Sequence, residues 1–176
     1  HMLQCDVVAL HLGFIPHDKS DPLYGEVVEV TRDILDHCQN NNQKLHLETG
    51  HETAAGLIEF ISDVERDNLF INFDPANMIL YGTGEPIEAL RKVGALVRSV
   101  HCKDATWADN PGVEWGAEVP LNEGAVGMED YLRTLDEIGY TGPLTIEREI
   151  PQDPERQKTE IGNAVNLLTQ LKDKIN

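Results

Sequence analysis

The chain has little positive charge. It carries 14 Lys and Arg against 31 Asp and Glu, a formal net charge of −17. No basic run interrupts this imbalance, so phosphate backbones are repelled and no nucleic-acid partner is expected. Cysteine is scarce as well. Cys5, Cys38 and Cys102 show no CxxC-type spacing, which argues against a disulfide framework or zinc finger and for reduced thiols in a cytoplasmic protein. No apolar stretch approaches the roughly 20 residues of a membrane span, and no signal-peptide pattern opens the chain, so no membrane partner is expected. The opening His1-Met2 reads as a tag remnant. GxGxxG, P-loop and GxSxG patterns are also missing, and no nucleotide cofactor is expected.

What is present is an ordinary globular composition, 40% apolar and 26% charged over 176 residues, which fits one domain spanning 1–176. Strand-like runs at about Cys5–Gly13, Gln43–Thr49, Asn68–Asp74, Leu96–Lys103 and Leu144–Arg148 alternate with helical spacing. Asp21-Pro22, Glu85-Pro86 and Asp153-Pro154 mark helix starts. The first helix is expected to bury Leu23, Val27, Val30, Ile34 and Leu35. The next is expected to bury Leu57, Ile58, Ile61 and Val64. A long connection from Asp104 to Gly127 holds both tryptophans. The pattern predicts an α/β fold, a partial (β/α) TIM-type barrel of about five βα units with parallel strands. Its continuous apolar strands suggest a sheet covered on both faces. A closed barrel takes eight units, so the open edges invite pairing with another copy of the chain, a homo-oligomer.

Four of the strand runs end alike. Leu45-His46-Leu47-Glu48, Phe70-Ile71-Asn72-Phe73-Asp74, Val97-Arg98-Ser99-Val100-His101 and Leu144-Thr145-Ile146-Glu147 each close on an acidic or imidazole side chain. Polar residues are common at strand ends, so one such ending alone carries no weight. In succession on parallel strands, they deliver two Glu, one Asp and one His to the carboxyl end of the barrel, as a metal site requires.

The segments Leu47-Glu48-Thr49-Gly50-His51-Glu52-Thr53, Asn72-Phe73-Asp74-Pro75-Ala76-Asn77, His101-Cys102-Lys103-Asp104 and Leu144-Thr145-Ile146-Glu147-Arg148-Glu149 resemble the xylose-isomerase-like TIM barrels. More narrowly, they resemble the sugar phosphate isomerase/epimerase group. His11-Leu12-Gly13-Phe14-Ile15-Pro16 and Pro120-Leu121-Asn122-Glu123-Gly124 fit the same group. The match corresponds to barrel strands four to eight, without the first three βα units. The resemblance implies one divalent ion (Mn, Mg, Co or Zn) held by Glu48, Asp74, His101 and Glu147. It also implies a sugar or polyol substrate, with Glu48 and Glu147 exchanging protons on its opposite faces through a metal-stabilised enediolate. The sequence departs from the best-known epimerases at Asn77, where they carry His, and at Trp107, where they carry Arg. His51 stands where Gln is expected.

Candidate substrate contacts are weighed against plain structural roles. Lys103, two residues after His101, points to the site; its alternative is a strand-end ion pair, with Asp104 as one partner. His11 is expected on strand one facing the barrel interior. Asn77 either bonds a substrate hydroxyl or completes an Asp74-Pro75-Ala76-Asn77 turn, and the turn is favoured. His51 sits in a strand-end loop within reach of Glu48. Trp107 and Trp115 wall the pocket or pack the loop. Glu123 is placed at the pocket rim, and His46 inside the barrel behind Glu48. Two further readings stand beside the isomerase/epimerase. One is a metal-dependent hydrolase of AP-endonuclease type, disfavoured by the acidic surface. The other is a non-catalytic half-barrel that self-associates.

Overall fold

The computed structural model describes residues 5–150 and 153–175; the tag-remnant reading of His1-Met2 lies outside them. Five strands pair in chain order, all parallel: β1 (Val7–Leu10), β2 (Lys44–Glu48), β3 (Leu69–Phe73), β4 (Val97–Cys102) and β7 (Leu144–Ile146). They form a curled half-barrel. β5 (Asp104–Thr106) and β6 (Ala117–Val119) make a separate antiparallel hairpin inside the long connection. The helices are α1 (Pro22–Asn40), α2 (Ala54–Val64), α3 (Pro75–Tyr81), α4 (Pro86–Val93), α5 (Met128–Glu137) and α6 (Pro154–Ile175). No described helix is long and apolar enough to cross a membrane.

Strand alternation sorts the side chains into two sets. Leu45, Leu47 and Leu69 pack with Val28, Leu35, Phe60 and Val64 of α1 and α2. Ile71, Phe73, Val97, Val100 and Cys102 pack with Leu90, Tyr131, Leu135 and Leu168 of α4, α5 and α6. The intervening residues, His46, Glu48, Asn72, Asp74, Ser99 and His101, face the other way. The expected two-sided cover is corrected here. Helices bury one face, while the concave face carries polar groups that bond one another, His46 Nδ1 with Ser99 Oγ at 2.8 Å among them. The register of β3 against β4 slips between Ile71 and Asn72, so that Asn72 faces Ser99 rather than Arg98. That bulge sets the inward alternation of β4 that ends on His101.

Helix starts follow their caps. Asp21 accepts from Leu23 N at 2.9 Å ahead of Pro22, and Asp153 accepts from Arg156 N at 3.0 Å. The buried stripe of α1 differs from the expected one. Tyr24, Val28, Thr31, Leu35 and Cys38 are buried, while Leu23 and Val30 are exposed. Thr31 can be buried because its hydroxyl donates to Val27 O at 2.7 Å. Tyr24 can be buried because its hydroxyl donates to Asp63 at 2.7 Å while its ring meets Phe60 edge-on. Satisfied polar groups outrank raw hydropathy there. In α2, Phe60 takes the buried place expected of Ile58, which faces out.

The segment read as an Asp74-Pro75-Ala76-Asn77 turn is instead the first turn of α3. Asp74 Oδ1 accepts from Ala76 N at 2.8 Å and Asn77 N at 3.1 Å. The same Asx contacts that start a turn also cap a helix, and Gly82 at φ 67° ends it.

Candidate metal centre

Glu48 ends β2, Asp74 follows β3, His101 lies near the end of β4, and Glu147 follows β7. One donor atom from each lies within 4.8 Å of the other three. An ion with bonds of about 2.1 Å spans about 4.2 Å between opposite donors, so shifts of under about 1 Å close this set on one ion. Three carboxylates and an imidazole suit Mg, Mn, Co or Zn. Among the described residues, this is the cluster of such groups that could hold a metal ion.

His101 Nδ1 is the centre of convergence. It lies 3.1 Å from Glu147 Oε2, 3.4 Å from Asp74 Oδ2 and 3.6 Å from Glu48 Oε1. Yet Nδ1 and Asp74 Oδ2 are both buried and aligned with no hydrogen-bond partner. Burial opposes a charged His101 ring, but contacts with Asp74, Glu147 and Glu48 outweigh it and raise its pKa to about 11. Glu147 is lowered to about 2, first by its contact with His101 and then, against desolvation, by the nearby positive charges. Burial raises Asp74, against the pull of His101 and Lys103. Orphaned buried donors of this kind fit an ion as their common partner.

Each residue of the cluster is itself held. Thr49 Oγ1 donates to Asp74 O at 2.8 Å and accepts from Asp74 N at 2.7 Å. Asn77 is buried and donates to Glu48 Oε1 and Thr49 O, both at 3.0 Å. Asn72 places its amide 3.1 Å from His101 Nε2. Tyr131 donates to His101 O at 3.0 Å, tying α5 to β4. Lys103 is 3% exposed and reaches Glu147 at 3.1 Å, Glu149 at 3.4 Å and Asp74 at 3.8 Å. Burial disfavours its charge, but Asp74 and Glu147 outweigh that and raise its pKa. Three cluster carboxylates would therefore be balanced by this ammonium plus a divalent ion.

The strand-end pair suggested between Lys103 and Asp104 does not form. Asp104 is buried and accepts instead from the backbone N–H groups of Ala105, Asn122, Gly124 and Val126 at 2.9–3.1 Å. A Cβ on Gly124 would overlap that carboxylate, so the close approach requires glycine. Arg148 closes the other side, bonding Glu118 of β6 at 2.7 Å and Glu160 of α6 at 2.6 Å. Cys102 faces the core, where burial pushes its thiol up to about 12.

The remaining candidates divide. His11 follows β1 and is exposed; its ring sits over Gly50 and its Nδ1 accepts from Gly13 N at 2.9 Å. His51 stacks on Tyr81 at 3.9 Å between centroids, and Trp115 meets Tyr81 edge-on at 5.3 Å. His11 completes this aromatic wall at 6.5 Å from both His51 and Tyr81. Tyr81 lies one helical turn beyond Asn77, on the side of α3 that faces Glu48. Trp107 packs against the larger apolar cluster. Glu123 is exposed in a shallow depression beside Glu160, Asn163 and Leu167 of α6. Sequence reasoning missed Asn72, Thr49, Tyr81 and Arg148. Asn72 did leave a signal, as a lone amide inside an apolar strand and two residues before Asp74 on the same face.

A family model described as xylose isomerase-like TIM barrel matches residues 1–171. The chain belongs to that family. It is 61% identical to a xylose isomerase domain protein from Planctomyces limnophilus, whose crystal structure it matches at a TM-score of 0.94, covering 97% of this chain and 61% of that one. A D-tagatose 3-epimerase-like protein (21% identical, 99% and 64% covered) and a Mycobacterium smegmatis family protein in complex with magnesium (23%, 99% and 64%) share the fold at TM-scores of 0.73. Among curated relatives, an uncharacterised protein of Methanocaldococcus jannaschii is 28% identical over 172 residues, 89% of this chain and 55% of its own length. An inosose dehydratase of Clostridium botulinum is 28% identical over 120 residues, 62% and 39%. The chain thus spans somewhat over half the length of the first of these relatives.

Proposed function

We propose that this chain carries the catalytic centre of a divalent-metal-dependent isomerase or epimerase of a sugar, sugar phosphate or related polyol. The observation that carries the reading is the convergence of three carboxylate oxygens on a buried, unaligned His101 Nδ1. Glu48, Asp74, His101 and Glu147 would hold the ion. Bound there, it would polarise a substrate carbonyl and the neighbouring hydroxyl, acidifying the C–H between them.

Glu48 and Glu147 approach from β2 and β7, with β3 and β4 between them. In this reading one carboxylate takes the proton from the substrate carbon and the other, protonated, returns one to the opposite face. Lys103 offsets the carboxylate charge, and Asn77 orients Glu48. Among the substrate contacts, His51 and His11 with Tyr81 and Trp115 offer a wall for the C–H face of a ring; Trp107, packed on the larger apolar cluster, and Glu123, beside α6, are left out of the substrate contacts. The similarity to an inosose dehydratase and an epimerase-like fold supports a polyol substrate, and water loss from a keto-polyol would use the same proton removal. The test is Glu147→Gln with loss of solvent deuterium wash-in into ketose or inosose substrates. We expect at least about a thousandfold loss with the fold intact; undiminished exchange would remove Glu147 from the mechanism.

A second reading, an assembly half-barrel, rests on the strand edges. Among the described residues, β1 and β7 each pair on one side only.

A further inference from the structure

Asn72 stands at the inner side of β3 and is 3% exposed. Its register neighbours are Glu48 on β2 and Ser99 on β4, so it lies one strand position below the cluster, at its centre. Its amide is 3.1 Å from His101 Nε2. The opposite ring nitrogen, Nδ1, faces the three carboxylates.

An imidazole that gives one nitrogen to a metal must carry its proton on the other, and that proton needs an acceptor. Inside this half-barrel, the group within reach of Nε2 is the Asn72 amide. An asparagine can present either its NH2 or its oxygen to a neighbour by turning its amide over. Among the described residues, no donor holds the Asn72 oxygen elsewhere, so the turn breaks no other hydrogen bond.

We infer that Asn72 is the positioning residue that fixes His101 as an Nδ1 metal ligand. With an ion in the cluster, the Asn72 oxygen accepts from Nε2–H, holds the ring plane and leaves the Nδ1 lone pair for the ion. The inference rests on the metal reading above and goes beyond it in assigning the ligating nitrogen and the residue that selects it.

The test uses the whole chain with Zn2+ as probe. Long-range 15N–1H NMR of the zinc-loaded protein should show His101 protonated at Nε2. By calorimetry, Asn72→Leu should bind zinc about 10- to 100-fold more weakly. Asn72→Asp, which keeps an acceptor in place, should bind within about threefold of the parent or more tightly. A purely packing role would predict the reverse, since Leu fills the space and Asp adds a buried charge. Unchanged affinity in Asn72→Leu, or a zinc-loaded His101 with its proton on Nδ1, overturns the assignment while leaving the cluster as a metal site. A parent protein that takes up no zinc overturns both.

Discussion

At the scale of single residues, His101 shows how neighbours make a ligand. Three carboxylates hold its pKa near 11, against an ordinary value of 6.5. A raised pKa stabilises the fold fully below the unfolded value. His101's share is therefore whole below pH 6.5 and lost as pH climbs through about 11. Glu147 runs the other way, its share whole above pH 4.5 and lost as pH falls through about 2. Binding a cation must expel the His101 proton. Calorimetry at pH 7 in buffers of different ionisation enthalpy should find about one proton released per ion, and affinity should rise about tenfold per pH unit from there towards pH 10. Absence of proton release would mean that His101 is not a ligand. The four cluster residues were legible in the sequence because strand ends announce themselves, each an apolar run closing on a charged or imidazole group. Their supports were not. Asn77 read as a turn and Lys103 as a candidate partner of Asp104, because the neighbours that this buried amide and ammonium reach lie 28 to 44 residues away.

At the scale of elements, the long connection after β4 is organised by one carboxylate. Asp104 gathers four backbone N–H groups and so fixes the segment from Asn122 to Val126 against β5. Asp104→Ala leaves these donors without their acceptor and should cost about 2 kcal/mol in urea unfolding. A loss below about 0.5 kcal/mol would show that water replaces the carboxylate without penalty. The sequence marked this connection by its length and its tryptophans, yet the β5–β6 hairpin within it went unread, since each strand has only three residues. Helix starts were legible to the residue at Asp21-Pro22, where the Asp21 side chain caps, and at Glu85-Pro86, where proline in the first turn marks the start without a side-chain cap. The buried stripe of α1 was not, because Thr31 and Tyr24 satisfy their hydroxyls inside the fold and leave Leu23 and Val30 on the surface.

At the scale of the molecule, five parallel strands bring the cluster together without a closed barrel, because all four donors come from four neighbouring strands of one sheet. The alternation of strand and helix made this α/β plan legible, down to the number of parallel strands. The polar concave face was hidden behind runs that looked apolar throughout. Among the described residues, β1 and β7 each pair on one side only, and these edges predict self-association. Sedimentation velocity should show a species heavier than 19.6 kDa that grows with concentration; a monomer at every concentration would argue against pairing at these edges. The most direct test of the central claim is metal content, measured by elemental analysis after dialysis without chelator. The geometry predicts about one divalent ion per chain, lost in Asp74→Asn, a substitution that keeps the α3 cap acceptor but removes the ligand charge. No bound ion in the parent protein, even after addition of manganese, cobalt or zinc, would contradict it.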